Sequence, residues 1–514
     1  MKTFQREIAG IYLWAVLLVL PLLYHDRYVD LIDWKAGFFR CLAGIFLCCG
    51  VVALIGGAVA KRSAGIPLSS PRKLLAGMSF LDAGMLAFGI AIFLSFVTSM
   101  YSVRNVFLGD IAQFVGAGVL LAVVLSYFLL SRFAESAKKS YIAAFYISSV
   151  LVLSVGLLNH MLVDPLGMHR YESGSTLYWM ASTIGNVDYY YAYLAIVLSF
   201  FAAYRMDMER SWQTAAVDVL LVICYMNLWT ARSSGIYVGL LFGLFVLVLF
   251  GITSFARLRG LCWNGVLAGC GGLLAEVGAH IKPDLYYGIE NEVSGRFQLH
   301  HFWLPFGLVC ATAWLVMGKI HKIGNDDKVM AAFCKAGKPL AAFSALAMAA
   351  LEGMVLFYRP LQDITGRTFI WDDMKAGYAY MTVREKLLGV GPGCLDLFLI
   401  QQGFYGFSDT LHLTAHNEVF EYWYLTGILG AAAYLAVVVA FFGSLYQRIF
   451  GELSSSSSNI AYFREMCCCG AAFAAYLGAG LTNGPYIPNI VVAYTMLAMF
   501  RRYQIPDEEV LFLA

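Results

Sequence analysis

Long runs of apolar residues, each about as long as a helix that crosses a bilayer, recur along almost the whole chain. A membrane-spanning α-helix needs about 20 predominantly apolar residues. The segments between the runs are short and polar, and no series of short alternating segments of the kind found in a transmembrane β-barrel is visible. The pattern therefore predicts an all-α polytopic membrane protein of about fourteen helices, at residues 8–24, 37–60, 74–98, 111–131, 141–161, 183–204, 215–231, 235–254, 261–280, 301–318, 339–357, 417–447, 465–482 and 488–500.

The composition agrees with this prediction. Of the 514 residues 60% are hydrophobic and 13% are charged, whereas a soluble protein carries about 25% charged residues. The net charge is +2 and no basic tract interleaved with aromatic residues is present, so we expect no nucleic-acid partner. Most of the cysteines lie inside apolar runs, where cysteine behaves as a small hydrophobic residue. Since only Cys394 falls in a predicted external loop, we expect no external disulfide framework.

Lysine and arginine in the loops predict the orientation of the chain. Most of these residues fall on one side of the predicted helices, and that side is expected to be cytoplasmic. Both termini then lie in the cytoplasm. The first apolar run, 8–23, has no small-x-small cleavage site after it, so we expect it to be retained as a helix. The predicted division is 1–357 for the first transmembrane helices, 358–416 for a long extracytoplasmic loop, and 417–514 for the C-terminal transmembrane helices.

The long loop 358–416 contains structure of its own. Ile370, Met374, Tyr378 and Met381 follow a helical spacing, a glycine-rich turn occupies 389–393, and a second apolar piece follows at 395–400. This arrangement predicts one or two short amphipathic helices along the membrane surface, hinged by glycines. A long ordered loop on a rigid scaffold is a reasonable place for function.

Cations on the predicted outer side are informative because the positive-inside bias disfavours them there. Guanidinium groups match phosphate oxygens well. Each arginine also has a simpler interpretation, in which it reaches lipid headgroups or pairs with a nearby carboxylate. That interpretation is weakest for Arg232, which lies between two apolar helices with no acidic residue within ten positions. The other candidates are Arg296, Arg359, Arg367, Lys375, Arg384 and Lys386.

The segment "TAHNEVFEYWYLTGILG" places a polar cluster at the start of an apolar run, which lipid disfavours without a reason. His416 can exchange a proton near neutral pH. Glu421 lies one turn after Asn417, Thr414 is a candidate N-cap, and a helix N-terminus favours anions. The alternative is a capped helix end in headgroup water.

Other polar residues give weaker signals. Asn186 and Asp188 start the sixth predicted span, and the tyrosines that follow them are typical of an interfacial aromatic belt. Asp82 and Glu352 lie inside apolar spans, but they are too scattered to predict a proton path. The adjacent acids at 372–373 fit a metal ion or the exposed face of a surface helix equally well. We find no HExxH, Walker A, GxSxG or paired CxxC motif.

Four outward segments together form a familiar set of motifs. "AHNEVFEYWYLTGILG" is similar to a His-Asn-x-x-Leu-Glu/Gln signature followed by Gly-x-x-Gly, with Phe420 in the aliphatic position. "GRTFIWDDM…LLGVGPG" is similar to an Arg-x-x-x-Trp loop followed by Gly-x-Gly. "WTARSSG" is similar to a Ser-Arg segment, with Ala231 in the serine position, and "GNVDYYYAYL" to a Gly-Asn-x-Asn segment, with Asp188 in the second asparagine position. Taken in their order along the chain, over residues about 180–440, the four motifs resemble those of the O-antigen ligase and O-antigen polymerase superfamily.

The resemblance implies a GT-C-like fold, for which about twelve spans are usual, in the bacterial plasma (inner) membrane. It implies an inverting glycosyltransferase whose donor is an undecaprenyl-pyrophosphate-linked glycan, with no cofactor and no metal. The acceptor can be a glycan, a lipid, a protein or a wall polymer. The implied catalytic residues are Arg232 and Arg367, which bind the pyrophosphate, and His416, which orients or deprotonates the acceptor hydroxyl. The predicted substrate-binding residues are Asn186, Arg296, Trp371, Arg384, Asn417 and Glu421.

Three alternatives remain. A flippase for polysaccharides or lipid-linked glycans, or an ion-coupled carrier, predicts ionisable residues at the bilayer midplane and internal pseudo-symmetry; few of the former and none of the latter are visible. A non-catalytic envelope scaffold predicts that His416 and Arg367 are dispensable. A peptidoglycan polymerase of the shape, elongation and division type shares the architecture but is expected to use an acidic residue in its outer loop. The sequence does not separate a ligase from a polymerase.

Overall fold

The structure is a computed structural model that describes residues 2–65, 78–109, 114–135, 139–169, 180–208, 211–233, 235–283, 293–326, 328–333, 367–404, 414–452 and 460–505, with isolated positions between 337 and 354. In chain order, its main helices are α1 (Lys2–Leu22), α2 (Leu31–Ser63), α3 (Phe80–Thr98), α4 (Val103–Leu108), α5 (Ala117–Phe133), α6 (Lys139–His160), α7 (Val187–Met206), α8 (Trp212–Trp229), α9 (Gly235–Gly251), α10 (Phe255–Ile281), α11 (Val293–Leu299), α12 (Trp303–Ile323), α13 (Thr368–Tyr378), α14 (Val383–Leu388), α15 (Leu395–Gln401), α16 (Glu418–Glu452), α17 (Ile460–Ala479) and α18 (Ile487–Arg502). A two-stranded antiparallel hairpin, β1 (Met180–Ala181) and β2 (Gly185–Asn186), precedes α7.

The all-α polytopic architecture is confirmed. Within the described ranges, nine helices are long and apolar enough to cross a membrane, namely α1, α2, α3, α6, α7, α8, α10, α12 and α16. The predicted spans 111–131 and 235–254 correspond to the shorter apolar helices α5 and α9. The predicted spans 465–482 and 488–500 correspond to α17 and α18. The predicted span 339–357 lies mostly outside the described residues.

Helix boundaries follow from local capping chemistry. The Ser79 side chain accepts a hydrogen bond from the backbone N–H of Asp82, whose carboxylate accepts one from the backbone N–H of Ser79 in return, so the pair forms a capping box at the start of α3. Ser211 and Thr214 form the same box at the start of α8. These caps satisfy backbone N–H groups that the first turn of a helix cannot satisfy within itself.

Helix α7 occupies the centre of the bundle. In its most apolar 18-residue stretch 89% of the residues are buried, the highest value among the candidate spans. It packs against α8, α9, α10 and α17. Small residues allow this close packing: a Cβ atom added to Gly239 of α9 would lie 3.3 Å from the Cβ atom of Ala195 on α7. The central position of α7 means that its first residues lie where several other helices end.

The described part of the long loop contains three short helices, α13, α14 and α15, where one or two were predicted. Helices α13 and α15 correspond to the two predicted apolar pieces, and α14 was not predicted. Apolar residues of α13 and α15, among them Ile370, Trp371 and Phe398, pack against Phe420 and Tyr424 of α16 to form a second hydrophobic core. The loop is therefore folded onto the transmembrane bundle over its described length.

The glycine-rich turn at 389–393 is docked against α16 and does not form an open hinge. The backbone N–H groups of Val390 and Gly391 donate to the carbonyl oxygens of Tyr424 and Leu425, at 3.0 and 3.2 Å. A Cβ atom on Gly389 would overlap the Leu425 carbonyl. Helix α16 is kinked next to this contact at Gly427, which has a φ of 67°. Glycine is required here because two backbone segments approach each other closely.

Asp82 has a structural explanation. Its buried carboxylate accepts hydrogen bonds from Tyr127 at 2.9 Å, from Arg132 at 3.1 Å and from Arg501 at 2.9 Å. These contacts link α3, α5 and α18 at the end of the bundle opposite to the first residue of α7, and they agree with the packing interpretation. Glu352 lies outside the described residues.

Candidate functional site

The first turn of α7 is held by the hairpin that precedes it. Gly185 has a φ of 105°, a conformation that favours glycine, and it ends the turn between the two strands. The side chain of Asn186 caps the helix by accepting a hydrogen bond from the backbone N–H of Asp188 at 2.9 Å. Asn186, a predicted substrate-binding residue, therefore has a capping role that fixes the position of Asp188.

Asp188 connects α7 to two distant segments. Its Oδ2 atom accepts a hydrogen bond from Nη2 of Arg367 at 3.0 Å, and its Oδ1 atom accepts one from the Ser233 hydroxyl at 2.6 Å. The side chains of Arg367 and Asp188 are 17% and 21% exposed. The contact therefore places the first residue of the long-loop motif, within hydrogen-bond distance, beside the motif of the sixth predicted span.

Glu421 organises the segment that precedes α16. Its buried Oε2 atom accepts hydrogen bonds from the Thr414 hydroxyl at 3.0 Å and from the Ala415 backbone N–H at 2.6 Å. The backbone N–H of His416 donates to the Thr414 hydroxyl at 3.2 Å. Residues 414–416 are thereby folded back onto the first turn of the helix that they precede.

The N-cap of α16 is Asn417, whereas the sequence favoured Thr414. The Asn417 side-chain oxygen accepts a hydrogen bond from the Phe420 backbone N–H at 3.0 Å, and its amide group donates to the Leu481 carbonyl at 3.0 Å. His416, directly before the cap, has a φ of 49° in the left-handed region. Such a backbone is uncommon for residues other than glycine, and strained residues of this kind cluster at functional sites.

Tyr189 joins the contacts around Asp188 to the contacts around Glu421. Its hydroxyl forms a side-chain hydrogen bond with Thr414, and the charges of Asp188, Glu421 and Arg367 all act on it. Its ring stacks on Tyr486, with 3.9 Å between the ring centroids. The tyrosine therefore belongs to the buried interior of the bundle, although an interfacial belt was the simpler expectation. We call the residues joined in this way the polar junction: Asn186, Asp188, Tyr189, Ser233, Arg367, Thr414, His416, Asn417 and Glu421.

The connection between α17 and α18 closes the polar junction and was missed in the sequence. The side chains of Asn483 and Asn489 donate to the backbone carbonyls of Asp188 and Tyr189, at 3.4 and 2.9 Å. A Cβ atom on Gly484 would overlap the Thr414 hydroxyl. The cluster Asn-Gly-Pro at 483–485, which interrupts two apolar helices on the same side as His416, was the available signal.

Arg232 lies at the same helix ends, near a different neighbour. It is partly buried, and its charge acts on His160, the last residue of α6. Ser233, the next residue, makes the direct contact with Asp188. The structure therefore brings the Arg232 segment to the polar junction through Ser233, and adds His160 to the residues near it.

Trp371 has a positioning role. Its side chain is fully buried, its indole N–H donates to the Ala415 carbonyl at 2.7 Å, and its ring lies 5.6 Å from that of Phe420. The family-like Arg-x-x-x-Trp spacing therefore places the arginine on Asp188 and the tryptophan against the residue that precedes His416.

The remaining predicted residues lie elsewhere. Arg384 donates to the Thr98 carbonyl and to Glu385, which ties α14 to the end of α3. Arg296 is exposed on α11. The contacts of the described residues do not bring either side chain into the polar junction.

Glu418 has its own buried environment. The residue is 1% exposed, its backbone N–H donates to the Gly480 carbonyl at 2.8 Å, and its carboxyl group accepts hydrogen bonds from the hydroxyls of Tyr434 and Tyr476. It therefore anchors the start of α16 to the end of α17, two residues after His416.

The described residues contain no group of three or more His, Cys, Asp or Glu side chains arranged to hold a metal ion. Asp372 lies 3.8 Å from Lys375 on α13, and both side chains are exposed by more than 40%. This geometry agrees with the exposed-face interpretation of the acidic pair at 372–373.

The polar junction can hold and exchange charge. It combines a guanidinium group, two carboxylates, a histidine and several hydroxyls at a site where helices α7, α9, α16 and α18 begin. Helix N-termini contribute backbone N–H groups and a partial positive charge, which favour an anion. A search of known family models finds no match to this chain, and a search of curated proteins likewise finds none.

Proposed function

We propose that the protein is a glycosyltransferase of the O-antigen ligase or polymerase type, with a GT-C-like fold. It transfers a glycan from an undecaprenyl-pyrophosphate carrier to an acceptor hydroxyl at the outer face of the bacterial plasma membrane. The observation that carries the proposal is the polar junction itself. Segments that resemble the family's motifs are scattered between residues 186 and 421, and they meet through Asp188, Ser233, Arg367 and Glu421.

In this mechanism Arg367 binds the pyrophosphate of the donor. The bond between the sugar C1 atom and the pyrophosphate oxygen breaks, and its electron pair leaves with the carrier pyrophosphate. The growing negative charge is stabilised by guanidinium groups, Arg367 first and Arg232 second. The ion pair with Asp188 holds Arg367 in place before the donor binds, and the pyrophosphate then competes with Asp188 for the guanidinium.

His416 acts on the acceptor. The acceptor hydroxyl attacks C1 from the side opposite to the leaving group, its proton passes to His416, and the configuration at C1 inverts in this single displacement. The backbone at His416 is held in place, because Thr414 accepts its N–H and Trp371 donates to the preceding carbonyl. This positioning serves catalysis because a reacting group displaced by about 1 Å can lose 100-fold in rate.

The proposed location and orientation follow from charge. Cationic residues gather at the helix ends away from the polar junction, as in Lys61 and Arg62 of α2, Arg205 of α7 and Arg501 of α18. If those ends lie in the cytoplasm, both termini do so too, and the polar junction faces the side where carrier-linked glycans are transferred.

The proposal is tested by reconstituting the purified protein in vesicles with a short undecaprenyl-pyrophosphate glycan and candidate acceptors. Wild-type protein should release carrier pyrophosphate and elongate an acceptor, and His416→Ala should abolish both. Lys282→Gln, an exposed cation at the same helix ends, is the matched control and should behave as wild type. The product separates the subclasses, because a ligase modifies a lipid, protein or wall acceptor and a polymerase lengthens a carrier-linked chain. Movement of the carrier across the bilayer without any broken bond would reject the enzyme and favour the flippase.

A further inference from the structure

A cleft of about 960 Å³ opens at the end of the bundle opposite to the polar junction. It lies between the last residues of α7 and the first residues of α8 and α10, with one wall from α12. The two ends of the 20-residue helix α7 are about 30 Å apart, so the cleft is separate from the polar junction. Its lining includes Arg205, Asp218, Arg259, Trp263, Trp314 and Arg464.

The aspartates of the cleft are already neutralised. Asp218 accepts hydrogen bonds from Nε and Nη2 of Arg205, at 2.5 and 3.3 Å, and from the Trp263 indole at 3.2 Å. Asp207 accepts two from Arg257, at 3.0 and 3.2 Å. Each pair is a two-point contact between a guanidinium and a carboxylate, the strongest geometry for this kind of ion pair.

Arg464, on the α17 side of the cleft, is also paired. Its guanidinium donates to Glu465 and lies 4.7 Å from the centre of the Tyr204 ring. This pair therefore adds no surplus charge to the cleft.

Arg259 supplies the surplus positive charge. Its guanidinium lies 4.3 Å from the centre of the Trp314 ring, and its Nε atom donates to the Trp314 carbonyl at 3.4 Å. Among the residues that the structure describes, it forms no ion pair. Counted over the residues described around the cleft, the four arginines at 205, 257, 259 and 464 face three carboxylates, Asp207, Asp218 and Glu465, which leaves one positive charge at Arg259.

The rings beside Arg259 provide an apolar wall. The ring centroids of Trp263 and Trp314 are 5.1 Å apart. Helix α12, which carries Trp314, is the least buried of the candidate spans: in its most apolar 18-residue stretch 11% of the residues are buried. The wall is therefore accessible from the bilayer as well as from water.

We propose that this cleft binds the phosphate group of an anionic ligand, with Arg259 as the phosphate contact and the two tryptophans against the adjoining organic part. An arginine held flat against an aromatic ring presents its N–H groups edge-on to phosphate oxygens. Basic pockets between helices at a membrane surface take anionic headgroups in the same way. The phosphate belongs either to a phospholipid headgroup or to a soluble phosphate compound. The inference is independent of the proposed transferase activity.

Native mass spectrometry of the purified full-length protein with added phosphatidylglycerol tests the lipid source. Wild type and Arg62→Gln, an exposed arginine at the end of α2, should retain the lipid equally. Arg259→Gln should bind it about tenfold more weakly or worse, because a hydrogen bond to a charged group is lost. Equal retention by wild type and Arg259→Gln, or equal loss in Arg259→Gln and Arg62→Gln, would overturn the proposal for the lipid.

A second measurement uses the wild-type protein alone, so it does not depend on the folding of a variant. Arginine-specific dicarbonyl labelling is followed at Arg259 and Arg62 by peptide mass spectrometry, with phosphatidylglycerol, pyrophosphate or inorganic phosphate added in turn. Protection of Arg259 but not of Arg62 by phosphatidylglycerol assigns the site to a headgroup, and protection by pyrophosphate or inorganic phosphate assigns it to a soluble ligand. If none of the three probes protects Arg259 selectively, the cleft is not a phosphate site.

Discussion

Arg367 donates a hydrogen bond to Asp188 at 3.0 Å, across 179 positions of the chain. This ion pair joins the long loop to the first turn of the central helix α7. The Ser233 hydroxyl donates to the other oxygen of the same carboxylate. A third segment, the connection between α8 and α9, is therefore also bound to Asp188. The carboxylate of Asp188 therefore brings together three segments that are far apart in the sequence.

The ion pair predicts energetic coupling between its two members. In a double-mutant cycle of Arg367→Gln and Asp188→Asn, we expect a coupling free energy of about 0.5–3 kcal/mol in thermal unfolding, because each single variant leaves a mostly buried charge without its partner. Strictly additive single effects would show that the pair does not connect the loop to α7 in the membrane-embedded protein.

Glu421 predicts a different outcome for two substitutions at one position. Glu421→Gln keeps an oxygen that can accept from both Thr414 and the Ala415 N–H, so we expect little loss of stability. Glu421→Ala leaves both donors buried without an acceptor and should cost about 1–3 kcal/mol per donor. Thermal unfolding in detergent compares the two variants. Equal destabilisation by Gln and Ala would mean that the negative charge, and not the hydrogen bonds, is what the site requires.

Gly389 and Gly403 form a matched pair for testing the docked turn. Both have a positive φ, of 85° and 83°, but a Cβ atom at Gly389 would overlap the Leu425 backbone, whereas at Gly403 it meets nothing within 4 Å. Gly403→Ala should cost about 1–2 kcal/mol through its backbone conformation alone. Gly389→Ala should cost clearly more in the same unfolding measurement, and a similar cost for both would contradict the close approach of the turn to α16.

Trp371 predicts a separation between stability and activity. Trp371→Phe keeps an aromatic ring but removes the hydrogen bond to the Ala415 carbonyl, so we expect about 1 kcal/mol of destabilisation. Turnover should fall by a larger factor, because the segment that carries His416 loses the contact that holds the Ala415 carbonyl. Trp212→Phe, at a tryptophan that is 78% exposed, is the control. A loss of turnover no greater than the loss of folded protein would assign Trp371 to packing alone.

The sequence predicted the helices well because each one is encoded locally. An apolar run of sufficient length has few stable conformations in a membrane other than a helix, and even the weak segment 261–280, with Glu276 and His280, lies within α10. Two of the short helices of the long loop, α13 and α15, were likewise predictable from their own apolar residues, whereas α14 was not.

The contacts between distant segments were not predictable in this way. Nothing in the spacing of Arg367 and Asp188 indicates that they meet, and the tyrosine after Asp188 looked like an interfacial residue until its neighbours were known. The glycines at 389–393 fit a hinge and a close backbone contact equally well in sequence; the carbonyls of Tyr424 and Leu425 decide between them. Arg384 looked like a ligand contact because its partner, the Thr98 carbonyl, is a backbone atom that no sequence pattern marks.

The central claim is that Arg367 stabilises a departing pyrophosphate at the polar junction. The most direct measurement is the rate at which the reconstituted protein releases carrier pyrophosphate from a short undecaprenyl-pyrophosphate glycan, compared between wild type, Arg367→Gln and Lys282→Gln, with folded protein quantified in each sample. We expect the rate of pyrophosphate release to fall about 100-fold or more for Arg367→Gln and to be unchanged for Lys282→Gln. The proposed role of Arg367 would be contradicted by either of two results. The first is a wild-type protein that releases no pyrophosphate from this donor with any acceptor, and the second is an Arg367→Gln variant that releases it at the wild-type rate.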